Sequence, residues 1–116
     1  MAESKLLKAV LKLQIPGCRL FRNQVGIARL RSGRITKTGL GTGSSDIIGF
    51  RTVKVGDKRI AQFVAIELKD ENKGKQAGVL SDEQLQFISD VFKAGGIAGV
   101  AWTLEQVIGI LTQKVN

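Results

Sequence analysis

Three of the 116 residues have the types and spacing that phosphoryl chemistry needs: Asp46, Glu67 and Lys69. The chain has no histidine and one cysteine, Cys18, which excludes Ser–His and Cys–His nucleophile pairs and the usual Cys/His zinc site. A metal ion would have to be held by oxygen ligands, which points to magnesium, manganese or calcium. Only ten carboxylates are available. Asp57, Asp70, Glu71, Asp82, Glu83 and Asp90 fall in turns, at a helix start or on a solvated face, where carboxylates ordinarily sit. Asp46 instead opens an apolar run just after a glycine-rich stretch, and Glu67 lies inside the very apolar segment FVAIELK. Two converging carboxylates in a chain of net charge +8 make a divalent-cation site. Such an ion polarises a phosphoryl oxygen and lowers the pKa of a bound water. A lysine beside it orients or deprotonates that water, or stabilises the charge developing on the phosphate.

The elements that must position these groups follow from the hydrophobic pattern. Leu6, Leu7, Val10 and Leu11 recur at helical spacing within residues 2–14, with Lys5, Lys8 and Lys12 on the other face. Pro16 ends that helix, because the residue before a proline is pushed out of the helical region. Residues 18–30 read as two short strands or one bent strand, and residues 32–45 as a mobile loop. Residues 46–55 and 59–68 read as strands joined by a turn at Gly56–Asp57–Lys58. In the second strand Phe63, Ala65, Glu67 and Lys69 share one face, which puts Glu67 and Lys69 about 6.7 Å apart along it. A same-face salt bridge is the simplest use of that pair. Whether Asp46 meets Glu67 depends on strand register, which the sequence leaves open.

Ser81 with Gln84 forms a capping box, and Leu80 with Leu85 occupies the positions of a hydrophobic staple. The helix that starts there should bury Leu85, Ile88, Val91 and Phe92 and stop at Ala94–Gly95–Gly96. Residues 97–102 form a continuous apolar run that suits a central strand buried on both faces, and a last helix spans about 104–114. The expected fold is a single α/β domain over residues 1–116, with a central mixed sheet flanked by helices in the order α-β-β-β-α-β-α.

Charge bears on partners. Residues 1–60 hold 13 Lys/Arg and three Asp/Glu, whereas residues 61–116 hold five and seven. A basic field confined to one half suggests a polyanion, nucleic acid ahead of a membrane surface. Apolar runs fall short of the roughly 20 residues of a membrane helix, and the N-terminal segment is too polar for a signal peptide. A soluble, cytoplasmic protein is expected. Gly39-x-Gly41-x-Gly43 lacks the Gly–Lys–Ser/Thr ending of a P-loop, so no nucleotide cofactor is implied.

Taken in order, Gly43–Ser44–Ser45–Asp46, then Glu67–Leu68–Lys69, then a helix carrying Gln84, resemble the PD-(D/E)xK nuclease superfamily, and more closely its small VRR-NUC domains. The likeness extends to Glu3 near the first helix, to the Arg22–Asn23 pair, and to LSDEQLQFI followed by Gly–Gly and an apolar strand. The resemblance implies a restriction-endonuclease-like core and a DNA endonuclease using Mg2+ or Mn2+. It implies that Asp46, Glu67 and the Leu68 carbonyl bind the metal, that Lys69 is the catalytic lysine, and that Gln84 and Glu3 complete the catalytic set. Ser45 stands where the superfamily has its proline, a residue that does no chemistry. Gln84 has a capping role open to it as well, and Glu3 could simply complement a helix dipole. Arg22, Asn23, Arg29, Arg31, Arg34, Lys37, Lys73 and Lys75 are the candidates for phosphate contacts. Stand-alone members of the family are associated with branched DNA such as four-way (Holliday) junctions. Resolving a junction takes two cuts, so a symmetric homodimer is expected. The alternatives are a non-catalytic DNA-binding module and a nuclease subunit that depends on a partner.

Overall fold

A computed structural model describes residues 4–69 and 79–114. Helix α1 (Lys5–Leu11) is followed by strands β1 (Cys18–Arg22), β2 (Gly26–Arg29), β3 (Ile35–Thr38), β4 (Ile47–Val55) and β5 (Lys58–Leu68). Then come α2 (Asp82–Lys93), β6 (Ile97–Ala101) and α3 (Leu104–Thr112). The class is α/β. Four strands form a mixed sheet in the order β1-β4-β5-β6, antiparallel except for the parallel β5–β6 pair. Strands β2 and β3 form a second, two-stranded antiparallel sheet.

The main core lies on one face of the large sheet. Val64 and Ile66 of β5, Ile47 of β4, and Ile97 and Ala101 of β6 pack with Val10 of α1 and with Val107 and Leu111 of α3. Each such branched side chain taken out of water contributes roughly 1.5–3 kcal/mol. Alternation along β5 sends Ala65 and Glu67 to the other face, which α2 covers in part. Glu67 is therefore buried by geometry: its strand neighbours are core residues and a helix lies over it.

The β4–β5 hairpin turns at Gly56 as its sequence suggests, and the Ser81 capping box forms with both of its hydrogen bonds. Three expectations need correction. Residues 35–38, read as part of a mobile loop, form β3, because Ser32–Gly33 makes a turn that folds them back on β2. Gly33 takes φ +89°, a conformation that L side chains rarely adopt. Strand β6 lies at the edge of the sheet instead of at its centre, and it is apolar because α2 and α3 both pack on it. The apolar stripe of α2 is also wider than the edge it covers, so Leu85 and Phe92 are 52% and 71% exposed. Among the described residues, no helix is long and apolar enough to cross a membrane.

Candidate functional site

Register decides the site. Ile47 pairs with Ile66, and continuing the ladder by one residue brings Asp46 opposite Glu67. The Leu68 backbone N–H donates to Asp46 Oδ2 at 2.8 Å, tying the carboxylate to the end of β5. Lys69 follows immediately, its own N–H donating to Ala101 O on β6 at 2.9 Å. The intervening peptide is trans, so the Leu68 carbonyl points away from β6, toward the Asp46 side. Lys69 Nζ stands 3.9 Å from Glu67 Oε1. The expected same-face pairing of Glu67 and Lys69 is present, and Asp46 joins it.

Gln84 connects α2 to this group through both ends of its amide. Its Oε1 accepts from Ser81 N–H at 2.9 Å, and its Nε2 donates to Glu67 Oε1 at 3.0 Å. Capping and contact with the site were alternatives in the sequence; one planar amide does both. The capping bond fixes the rotamer that aims Nε2 at the carboxylate.

Glu67 is 4% exposed, and its Oε2 is buried with no hydrogen-bond partner among the described residues. Burial, then the charge and side-chain proximity of Asp46, push its carboxyl up to about 8, against the opposing pull of Lys69. Two carboxylates this close cannot both be ionised cheaply unless a proton or a cation lies between them. An orphaned buried oxygen beside a second carboxylate fits a hard divalent cation, and Asp46, Glu67 and the Leu68 carbonyl are the groups able to hold it. Among the described residues the acidic cluster stops at this pair. Glu3, the expected outer member, and Lys73 and Lys75 lie outside the described residues.

The segment leading into Asp46 is held by Asn23. Its backbone N–H donates to Asp46 O at 2.7 Å. Its side-chain amide donates to Ser44 Oγ and Ser45 O, both at 2.7 Å, and accepts from Leu40 N–H at 3.0 Å. Asn23 is 7% exposed, so the expected phosphate contact gives way to a clamp on the loop. Gly43, at φ +86°, lets this loop lie against α2; a Cβ there would come within 2.6 Å of Glu83 Cβ. Ser45, just before Asp46, is 1% exposed, and its Oγ has no hydrogen-bond partner among the described residues.

Of the remaining expected phosphate contacts, Arg22 ends β1, opposite Ile47. Arg29 and Lys37 lie on β2 and β3, and Arg31 and Arg34 lie at the turn between them; all five cations are exposed. Sequence reading missed the isoleucines beside them. Ile27 and Ile35 are 74% and 64% exposed. The signal was present as Ile27-x-Arg29 and Ile35-x-Lys37, two period-two fragments about a Ser–Gly turn. No family model, curated protein or solved structure matches the chain.

Proposed function

We propose that the protein is a divalent-metal-dependent DNA endonuclease with a restriction-endonuclease-like core of the PD-(D/E)xK, VRR-NUC type. The observation that carries this reading is the paired register of Asp46 and Glu67, with an orphaned buried Glu67 oxygen and Lys69 beside it. Asp46, Glu67 and the Leu68 carbonyl would hold Mg2+ or Mn2+. When bound, that cation supplies Lewis-acid polarisation of a phosphoryl oxygen and neutralises its charge.

The chain's own residues do the rest. Gln84 and Lys69 occupy one oxygen of Glu67, and the other has no hydrogen-bond partner among the described residues. Lys69 is anchored through its backbone to β6, and its side chain, 15% exposed, carries the ammonium to the edge of the site, 3.9 Å from Glu67 Oε1. There it orients the attacking water and stabilises charge that builds on the phosphate during in-line displacement. Arg22, Arg29, Arg31, Arg34 and Lys37 supply phosphate contacts, which give affinity and little sequence choice. The substrate class is branched DNA, four-way junctions included, and the active form is a homodimer that supplies one active site per cut.

Cleavage of a labelled four-way junction and a linear duplex, in Mg2+ and in Mn2+, tests the reading. Paired symmetric nicks are expected. Chelator should abolish them, and Lys69→Ala should slow them by at least about 10³-fold, roughly 4 kcal/mol of transition-state stabilisation. Equal cutting of both DNAs would discard the branched substrate. Tight binding with no cutting would leave a DNA-binding module or a partner-dependent subunit.

A further inference from the structure

Strands β2 and β3 build a ribbon with one unusual face. In their register Ile27 pairs with Lys37 and Arg29 with Ile35, so these four side chains share one side in a checkerboard of aliphatic and cationic groups. Gly26, Ala28, Thr36 and Thr38 take the other side. Exposure of 74% and 64% for the two isoleucines means that they stand open to solvent, with none of the described residues covering them. Isolated two-stranded ribbons are marginal in water, and apolar residues on an exposed ribbon are a liability unless something docks on them.

Two observations choose the occupant. From Gln24 to Ser45 every charged residue is a cation, with Arg31 and Arg34 at the tip adding to Arg29 and Lys37. Packing this face on the same face of a second copy would bring like charges together, whereas a nucleic acid neutralises them. The ribbon is also rooted at the proposed active site. Asn23, just before it, donates through its backbone to Asp46 O, and Leu40, just after it, donates to the Asn23 side chain. A polynucleotide at Asp46 and Glu67 therefore lies within the ribbon's neighbourhood.

Aliphatic groups between cations fit a polynucleotide surface where base faces are open between phosphates. In a continuous duplex those faces are stacked on one another, and inserting a side chain costs the unstacking of a step. At a branch point stacking is already interrupted. We propose that the β2–β3 ribbon is the element that selects branched DNA, with Ile27 and Ile35 packing on the open base-pair faces at the branch while Arg29 and Lys37 hold the flanking phosphates. This rests on the nuclease reading above and names what sets its substrate class.

The test is binding in chelator, which separates it from cleavage. Affinities of wild type, Ile27→Thr/Ile35→Thr and Arg29→Gln/Lys37→Gln are measured against a four-way junction and a linear duplex across a salt series. Thr keeps strand propensity, so the ribbon should survive; circular dichroism and an unchanged melting temperature check this. The isoleucine variant should lose at least about tenfold for the junction and little for duplex, with its salt slope unchanged. The cation variant should weaken both DNAs alike and lower the slope by about two. A fluorescent base analogue beside the branch should brighten with wild type and not with the isoleucine variant.

A junction-to-duplex ratio and a fluorescence response both unchanged in the isoleucine variant would overturn this proposal alone. Loss of a dimer by light scattering in that variant would also overturn it, by making the face a protein interface. A wild-type protein that binds neither DNA would overturn the nuclease reading along with it.

Discussion

Arg51 on β4 and Glu67 on β5 are buried to almost the same degree, 5% and 4% exposed, on opposite faces of the same hairpin. Their surroundings differ. Arg51 donates through Nε to Gln62 Oε1 at 2.7 Å and through Nη1 to the carbonyls of Leu111 and Gln113. It has no carboxylate partner among these contacts; it satisfies the C-terminal end of α3, where a positive charge is favoured. Glu67 has one oxygen engaged by Gln84 and Lys69 and the other without a hydrogen-bond partner among the described residues, with a second carboxylate opposite. A buried charge whose partners are complete belongs to the architecture. A buried charge left incomplete next to one of like sign costs stability, and such a cost is tolerated where a ligand relieves it.

Removing each charge should separate the two roles. Arg51→Met should strand two carbonyls at the end of α3 and Gln62 Oε1 on β5, and cost about 3 kcal/mol or more. At roughly 4 °C or more per kcal/mol, thermal unfolding would fall by more than about 12 °C. A melting temperature within about 3 °C of wild type would mean that Arg51 does not hold α3 in place.

Glu67→Gln should act in the opposite sense. An unfolded glutamate titrates near 4.5, and in the folded protein this carboxyl is pushed up to about 8. Between those values the folded state holds a proton that the unfolded state has released, so wild-type stability should fall as pH rises through that window and level off above it. The glutamine variant should lack this component and be the more stable protein at pH 8.5. Mg2+ or Mn2+ should restore wild-type stability at that pH and leave Glu67→Gln unmoved. Parallel pH profiles for the two proteins in chelator would mean that Glu67 is not strained in the folded state.

The smallest effect is expected at Gln84, which joins the cap of α2 to Glu67. Gln84→Ala removes one bond from the capping box and one from Glu67, and should cost about 1 kcal/mol. Gln84→Glu restores an acceptor for the cap and sets a third carboxylate against Glu67. Thermal unfolding at pH 6 and pH 8.5 should show Gln84→Glu close to wild type at the lower pH and weaker at the higher one. Equal loss at both would assign Gln84 to the cap alone.

Legibility in the sequence followed the range of the interaction. The α2 start was readable because a capping box is complete within four residues, Ser81 to Gln84, and the β4–β5 turn because Gly56 sits between two apolar runs. Strand β3 was hidden because four residues, half of them threonine, give too short an alternation to stand out in a glycine-rich stretch. The edge position of β6 was unreadable for another reason. Apolar content reports that a strand is covered, and the same IAGVA run results whether other strands or two helices cover it. Asn23 looked like a polar neighbour of an arginine; only the return of the chain from Leu40 to Ser45 surrounds its amide and makes it a clamp.

By itself the sequence determined the α/β class, the ends of most elements, and the oxygen-only, cation-rich chemistry available, because composition, capping and side-chain periodicity are local. Tertiary structure alone decided that Asp46 faces Glu67, that one Gln84 amide serves both the cap and the carboxylate, and that two isoleucines stand bare among the ribbon's cations. Each of these is a matter of register or of long-range return of the chain. A slip of one residue between β4 and β5 would have sent the carboxylates to opposite faces with the composition unchanged.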